Sequence, residues 1–252
     1  MKSYLTLIFF VIAILIPARA ASITSQSSVA GPAPTATAPV WGRLVVTGNT
    51  VTCYYALGTA KPTVWKQLGV PKTIGFLNNP LLVGLFITAH NSSVMANGTV
   101  DNFSITPAPK YRLQDVDIGA PSLMGSANLI CGVWRLSGSG ADVWGASDAC
   151  NFQPWLVWGD CTVVCRVTSI SSGDAWQKIG IMVRDGYNSG ADNAVFFATN
   201  GSGNCFQYRP EFNVNPDGAT VATLVAPATT VAGTAIGVSP IGSSTTVFTL
   251  RP

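Results

Sequence analysis

The chain has 252 residues, of which 48% are apolar and only 10% charged, and its formal net charge is +3. So small a charge gives no broad electrostatic reason to expect nucleic acid or an anionic membrane surface as a partner. Six cysteines, a single histidine and no CxxC pair argue against a zinc site, and no cofactor is expected.

Residues 1–20 read as a secretory signal peptide. Lys2 supplies the positive start, "LTLIFFVIAILI" the short apolar core and "ARA" (18–20) the small-residue cleavage site. The core is short against the roughly 20 apolar residues of a spanning helix, so cleavage rather than anchoring is expected. Loss of Lys2 and Arg19 leaves 12 basic against 11 acidic residues. The expected location is extracellular or at the cell surface, with no membrane contact after cleavage. Export also favours disulfides among the six cysteines. Cys161 and Cys165 are the exception: in an extended "CTVVC" they lie about 13 Å apart and cannot bridge.

Residues 21–39 form a Ser/Ala/Pro-rich linker. "WGRLVVT", a Gly-Asn turn and "TVTCYYA" predict a β-hairpin. "TVWKQLG" and "KTIGF" are shorter strand candidates, "LLVGLFITAH" a buried strand and "GTVDNFSI" an alternating one. A Pro-Ala-Pro seam at 107–109 follows. Beyond it, "VWRLSGSGADVWG", "DCTVVCRVTSI", "WQKIGIMVRD", "NAVFFAT" and "CFQYR" predict more strands. Residues 210–252 are an Ala/Thr/Val/Pro-rich tail able to supply a few strands with a thin core. Helical periodicity is absent throughout, which predicts an all-β sandwich.

Alternation along the strands defines a candidate binding face. Ile179, Ile181 and Val183 point to the core, which turns Trp176, Lys178, Met182 and Arg184 the other way. The same rule sets Arg166 opposite Cys165, and Gln207 and Arg209 opposite Phe206 and Tyr208. If these strands share a sheet, Trp176, Lys178, Arg184, Arg166, Gln207 and Arg209 form one outer face. An aromatic ring with long planar donors suits a saccharide, and the basic groups favour an acidic one. A merely solvated face is the competing reading. "PWLVW" offers Trp155 and Trp158 as a second platform, with burial as its alternative.

Catalytic constellations are hard to build. Glu211 is the only glutamate, no spaced carboxylate pair suits glycoside hydrolysis, and no G-x-S-x-G elbow occurs. His90 lacks a marked nucleophile and reads as structural. Asp142 and Asp148 read as turn residues, with a calcium loop as the alternative. The chain is therefore expected not to be an enzyme.

"DIGAPSLMGSA", "LSGSGADVWGASDA", "GDCTVVCRVTSI" and "WQKIGIMVRD" resemble a module repeated in large exported bacterial proteins. "WGRLVVTGNTVTCYYA", "VGLFITAHNSS" and "GTVDNFSI" resemble that module's second half. The resemblance implies a concanavalin A-like jelly-roll β-sandwich with a non-catalytic carbohydrate-binding or adhesive role. The halves stand in inverted order, back half at 40–107 and front half at 110–209. Either they close on each other as one circularly permuted sandwich, or the chain is a slice through a tandem array. The tail faintly resembles the start of a bacterial immunoglobulin-like domain. A polysaccharide binder is the first expectation, an adhesive module without a small ligand the second, and a degenerate glycoside hydrolase or lyase the third.

Overall fold

A computed structural model describes residues 39–76, 80–213 and 217–221. The expected signal peptide, nearly all of the linker and most of the tail lie outside the described residues. Among the described residues there is no helix; antiparallel strands form two large sheets and one small hairpin.

Before the seam come β1 (Val40–Thr47), β2 (Thr50–Leu57), β3 (Lys66–Thr73), β4 (Leu81–Thr88) and β5 (Asn91–Thr106). Short strands β6 (Tyr111–Arg112) and β7 (Val116–Ile118) follow it, then β8 (Ser126–Ile130) and β9 (Val133–Gly140). A small hairpin pairs β10 (Val143–Trp144) with β11 (Ser147–Asp148). The remainder are β12 (Cys150–Val157), β13 (Cys161–Ile170), β14 (Lys178–Arg184), β15 (Asn193–Thr199), β16 (Asn204–Arg209) and β17 (Asp217–Val221).

The seven-stranded sheet runs β3-β2-β1-β13-β5-β9-β8, and the eight-stranded sheet runs β17-β16-β15-β14-β4-β12-β6, with β7 also on β12. Strands from the two sides of the seam are interleaved in both. β1 and β5 flank β13, and β4 lies between β14 and β12 with Ile87 opposite Ile179. The residues on either side of the seam therefore do not form separate half-cores.

The main core fills the space between the sheets. Leu44, Cys53, Leu68, Val163, Cys165 and Val167 from one sheet meet Val83, Leu85, Ile87, Ile179, Ile181, Val183 and Phe206 from the other. Packing is tight where Phe196 lies against Gly42: a Cβ there would sit 1.9 Å from the ring.

The eight-stranded sheet is also covered on its other face. Leu82, Phe86, Phe152, Met182, Val195 and Phe197 form a second apolar cluster closed by Ile118 and Val143. Every residue of β4, β14, β15 and β16 is buried, as expected for strands packed on both sides.

No disulfide joins any of the six cysteines, all of which are described. Geometry explains it for one core pair. Cys53 (opposite Leu44) and Cys165 (opposite Gly42) lie on strands separated by β1, two strand spacings or about 10 Å apart, beyond disulfide reach. Cys131 is exposed in the turn between β8 and β9. Burial pushes the Cys161 thiol up to about 11 and the Cys165 thiol up to about 12. Burial likewise holds Cys53 and Cys150 well above the ordinary thiol range.

Candidate functional site

The alternation read from sequence describes side-chain direction, but the expected outer face is neither continuous nor open. Arg166 belongs to β13 in the seven-stranded sheet, where it bonds the Asp101 carboxylate and lies over the Trp41 ring. Its hydrogen bonds to Arg166 hold the Asp101 carboxyl below the usual carboxylate range. Of the other five, Lys178, Arg184, Gln207 and Arg209 belong to β14 and β16 of the eight-stranded sheet, and Trp176 lies in the turn before β14. However, Lys178, Arg184, Gln207 and Arg209 are at most 2% exposed, and only Trp176, at 43%, reaches solvent. The reason is the second apolar layer: its large side chains draw the β10–β11 hairpin down over the sheet.

Asp148 fastens that hairpin. This fully buried carboxylate accepts from Arg209 Nη2 at 2.7 Å through Oδ1. Through Oδ2 it accepts from Arg209 Nη1 at 2.8 Å, Asn193 Nδ2 at 3.0 Å and Arg184 Nη1 at 3.2 Å. β15 carries Asn193 between the two arginines, opposite Arg184 on one side and Arg209 on the other. The guanidiniums also donate to the carbonyls of Gly145, Gly186, Asn188 and Ala191. Their donors are thus directed into the protein, and the two arginines act as clamps on the covering loops.

Beside the clamp lies a cavity of about 280 Å³ lined by His90, Trp144, Trp176, Lys178, Phe197, Cys205 and Gln207. β14, β15 and β16 supply its floor. The ammonium of Lys178 pairs with Asp142 Oδ1 at 2.6 Å and donates to the Val143 carbonyl at 3.0 Å. It also lies 5.0 Å from the Phe197 ring centroid and 5.7 Å from that of Trp144, within cation–π range. Gln207 Nε2 donates to the same Val143 carbonyl at 2.7 Å.

The walls come from two turns. The β10–β11 hairpin turns at Gly145, whose φ of +62° suits a residue without a Cβ, and sets out Trp144 at 53% exposure. The turn before β14 sets out Trp176, whose backbone N–H donates to Asp174 Oδ1 at 2.7 Å. His90, which follows β4, stands between the turns. Its Nδ1 is 3.0 Å from Asp174 Oδ1 and its Nε2 is 3.5 Å from Asp142 Oδ2. A neutral imidazole can donate to one carboxylate, an imidazolium to both. Both ring nitrogens therefore face carboxylates, one on each tryptophan-bearing turn.

The sequence reading of His90 as a satisfied structural residue and of Asp142 as a turn or calcium-loop residue did not bring the two together with Asp174 and Lys178. These residues come from separate segments, and no local motif joins them. Among the described residues, no group of three acidic, His or Cys side chains is arranged to hold a metal ion. The "PWLVW" tryptophans are split. Trp155 packs on Phe103 and Trp134 with centroids 4.7 and 5.5 Å away, while Trp158 is half-exposed beside Tyr111.

The fold and site define an all-β sandwich with a tryptophan-walled cavity at one end of its eight-stranded sheet. No family model matches the chain, and neither the curated proteins nor the solved structures contain a significant match.

Proposed function

We propose that this chain is a secreted, non-catalytic carbohydrate-binding module of concanavalin A-like jelly-roll type, its two halves circularly permuted about the Pro-Ala-Pro seam. It takes a neutral glycan end or short segment in the cavity between Trp144 and Trp176. The observation that carries this reading is the pair of half-exposed indoles above a floor that sets Lys178 and Gln207 beside Phe197 and Cys205. Indole faces cover the C–H surface of a pyranose, while Lys178 and Gln207, which line the cavity, offer hydroxyl partners. At about 280 Å³ the cavity falls just below the roughly 300–1,000 Å³ of small-molecule sites, which suits one or two sugar rings.

Charge pairing favours a neutral ligand here over the acidic one first expected. Asp142 compensates Lys178, and Asp148 with backbone carbonyls engages both buried arginines. The non-catalytic reading is supported by His90, whose nitrogens both face carboxylates rather than a hydroxyl or thiol nucleophile.

A glycan array followed by calorimetry tests the proposal. Trp144→Ala and Trp176→Ala should each weaken binding of the best neutral oligosaccharide about tenfold or more. Folded protein that binds no neutral glycan, or whose binding survives both substitutions, would contradict it. Turnover of a polysaccharide would contradict the non-catalytic role.

A further inference from the structure

Among the described residues, basic charge without an acidic partner is concentrated elsewhere, at the β1–β3 end of the seven-stranded sheet. Residues 39–76 contain Arg43, Lys61, Lys66 and Lys72 and no acidic residue; every acidic residue of the chain lies at or beyond Asp101. The described carboxylates around this end are paired or lie at its margins, and β17, which begins at Asp217, packs beside β3. Asp101 is paired with Arg166, Asp160 accepts the Gly48 N–H at 2.7 Å, and Asp192 and Glu211 adjoin Gly75 beyond β3.

Arg43 has the most unusual surroundings of the four. Its Cζ lies 4.2 Å from the Tyr54 ring centroid and 4.6 Å from that of Trp65. β2 places Tyr54 directly opposite Arg43, and β3 places Gln67 opposite Tyr54. Arg43 Nε is sealed from solvent without a hydrogen-bond acceptor, and no described carboxylate pairs with the side chain. Aromatic packing fixes the plane of a guanidinium and occupies its faces, leaving the terminal Nη N–H groups of Arg43 to meet a planar oxyanion. The loop that carries Trp65 also walls a groove of about 410 Å³, lined by Tyr55, Leu57, Lys61, Val64 and Lys66 among others.

We infer that this end of the sheet is a second saccharide site, one for an acidic polysaccharide, with Arg43 receiving a sugar carboxylate and Lys61 and Lys66 following the chain along the groove. Single-stranded nucleic acid fits less well. Bases bind through free ring faces, and Tyr54 and Trp65 each give ring surface to Arg43. A uronate chain needs donors more than ring faces. The site is separate from the tryptophan cavity and does not depend on that cavity binding anything.

The test is calorimetric titration of the whole chain with polygalacturonate, with oligo(dT) and dextran sulfate as comparison polyanions. The wild type should bind polygalacturonate most tightly, and less tightly as salt rises. Arg43→Gln should weaken binding at least about tenfold, Lys61→Gln with Lys66→Gln by less, and Trp144→Ala not at all. Near-UV circular dichroism identical to wild type would establish that Arg43→Gln is folded. A variant that fails this check is replaced by Arg43→Lys, which keeps the charge, loses the planar fork and should also bind more weakly. Absence of polygalacturonate binding, or unchanged binding in the folded Arg43 variant, would overturn the inference. So would equal or tighter binding of oligo(dT) or dextran sulfate.

Discussion

Asp148→Ala removes the one carboxylate shared by two buried arginines. Asp148, Arg184 and Arg209 are all fully buried, so water cannot take the lost partner's place without opening the loop. Breaking a buried ion pair from one side costs about 3–5 kcal/mol, because the remaining charge stays desolvated. Two cations lose an anion here, but carbonyls of Gly145, Gly186, Asn188 and Ala191 still accept from them. The expected loss therefore stays near that range and is not doubled. It is a large fraction of the roughly 5–15 kcal/mol that holds a domain folded. Urea unfolding followed by tryptophan emission measures it, and the midpoint should fall with little change in slope. Replacing all three residues by apolar ones of similar volume should restore most of the loss, since the desolvated charges disappear together. A cost below about 1 kcal/mol for Asp148→Ala would refute the reasoning, because it would mean that the arginines are solvated or otherwise compensated.

Further predictions concern other parts of the molecule. His90→Ala should loosen both tryptophan-bearing turns, seen as faster acrylamide quenching of Trp144 and Trp176 with the unfolding midpoint little changed. In the folded, reduced protein near pH 8, Ellman's reagent should modify Cys131 rapidly, while Cys53, Cys150, Cys161 and Cys165 should wait for unfolding. Arg166 lowers the Asp101 carboxyl, so that group's stabilisation is complete above the ordinary value of about 3.9 and is lost as pH falls through its lower folded-state value. Asp101→Asn should accordingly flatten the acid limb of the stability profile. Gly42→Val should cost about 1–3 kcal/mol or more in chemical denaturation, because its Cβ would lie 1.9 Å from the Phe196 ring.

Strand direction was legible in the sequence because alternation is local. Ile179, Ile181 and Val183 point to the main core, with Lys178 and Arg184 opposite them. Solvent exposure was not legible, because it depends on what covers the sheet. The residues that summon the cover sit on the same face. Leu82 and Phe86 in "LLVGLFITAH", and Val195 and Phe197 in "NAVFFAT", belong to apolar runs without the polar interruptions of a half-exposed strand. Weighed together, those runs would have argued for a sheet buried on both sides. It follows that arginines on such a face need internal anions, and Asp148 is one. Arg166 was grouped with them because pairing between distant strands cannot be read from alternation alone. The cavity was least legible of all: His90, Asp142 and Asp174 meet only because β4, the β10–β11 hairpin and the turn before β14 converge at one end of the sheet.

Fluorine NMR of protein labelled with 5-fluorotryptophan tests the proposed glycan cavity most directly. The chain has seven tryptophans, and single Trp→Phe variants assign their signals. Titration with a panel of neutral oligosaccharides should shift the Trp144 and Trp176 resonances together along one saturating curve, leaving Trp41 and Trp134 in place. If no member of the panel moves either signal, or if the shifts centre on Trp65 or Trp158, the proposed cavity is not the glycan site.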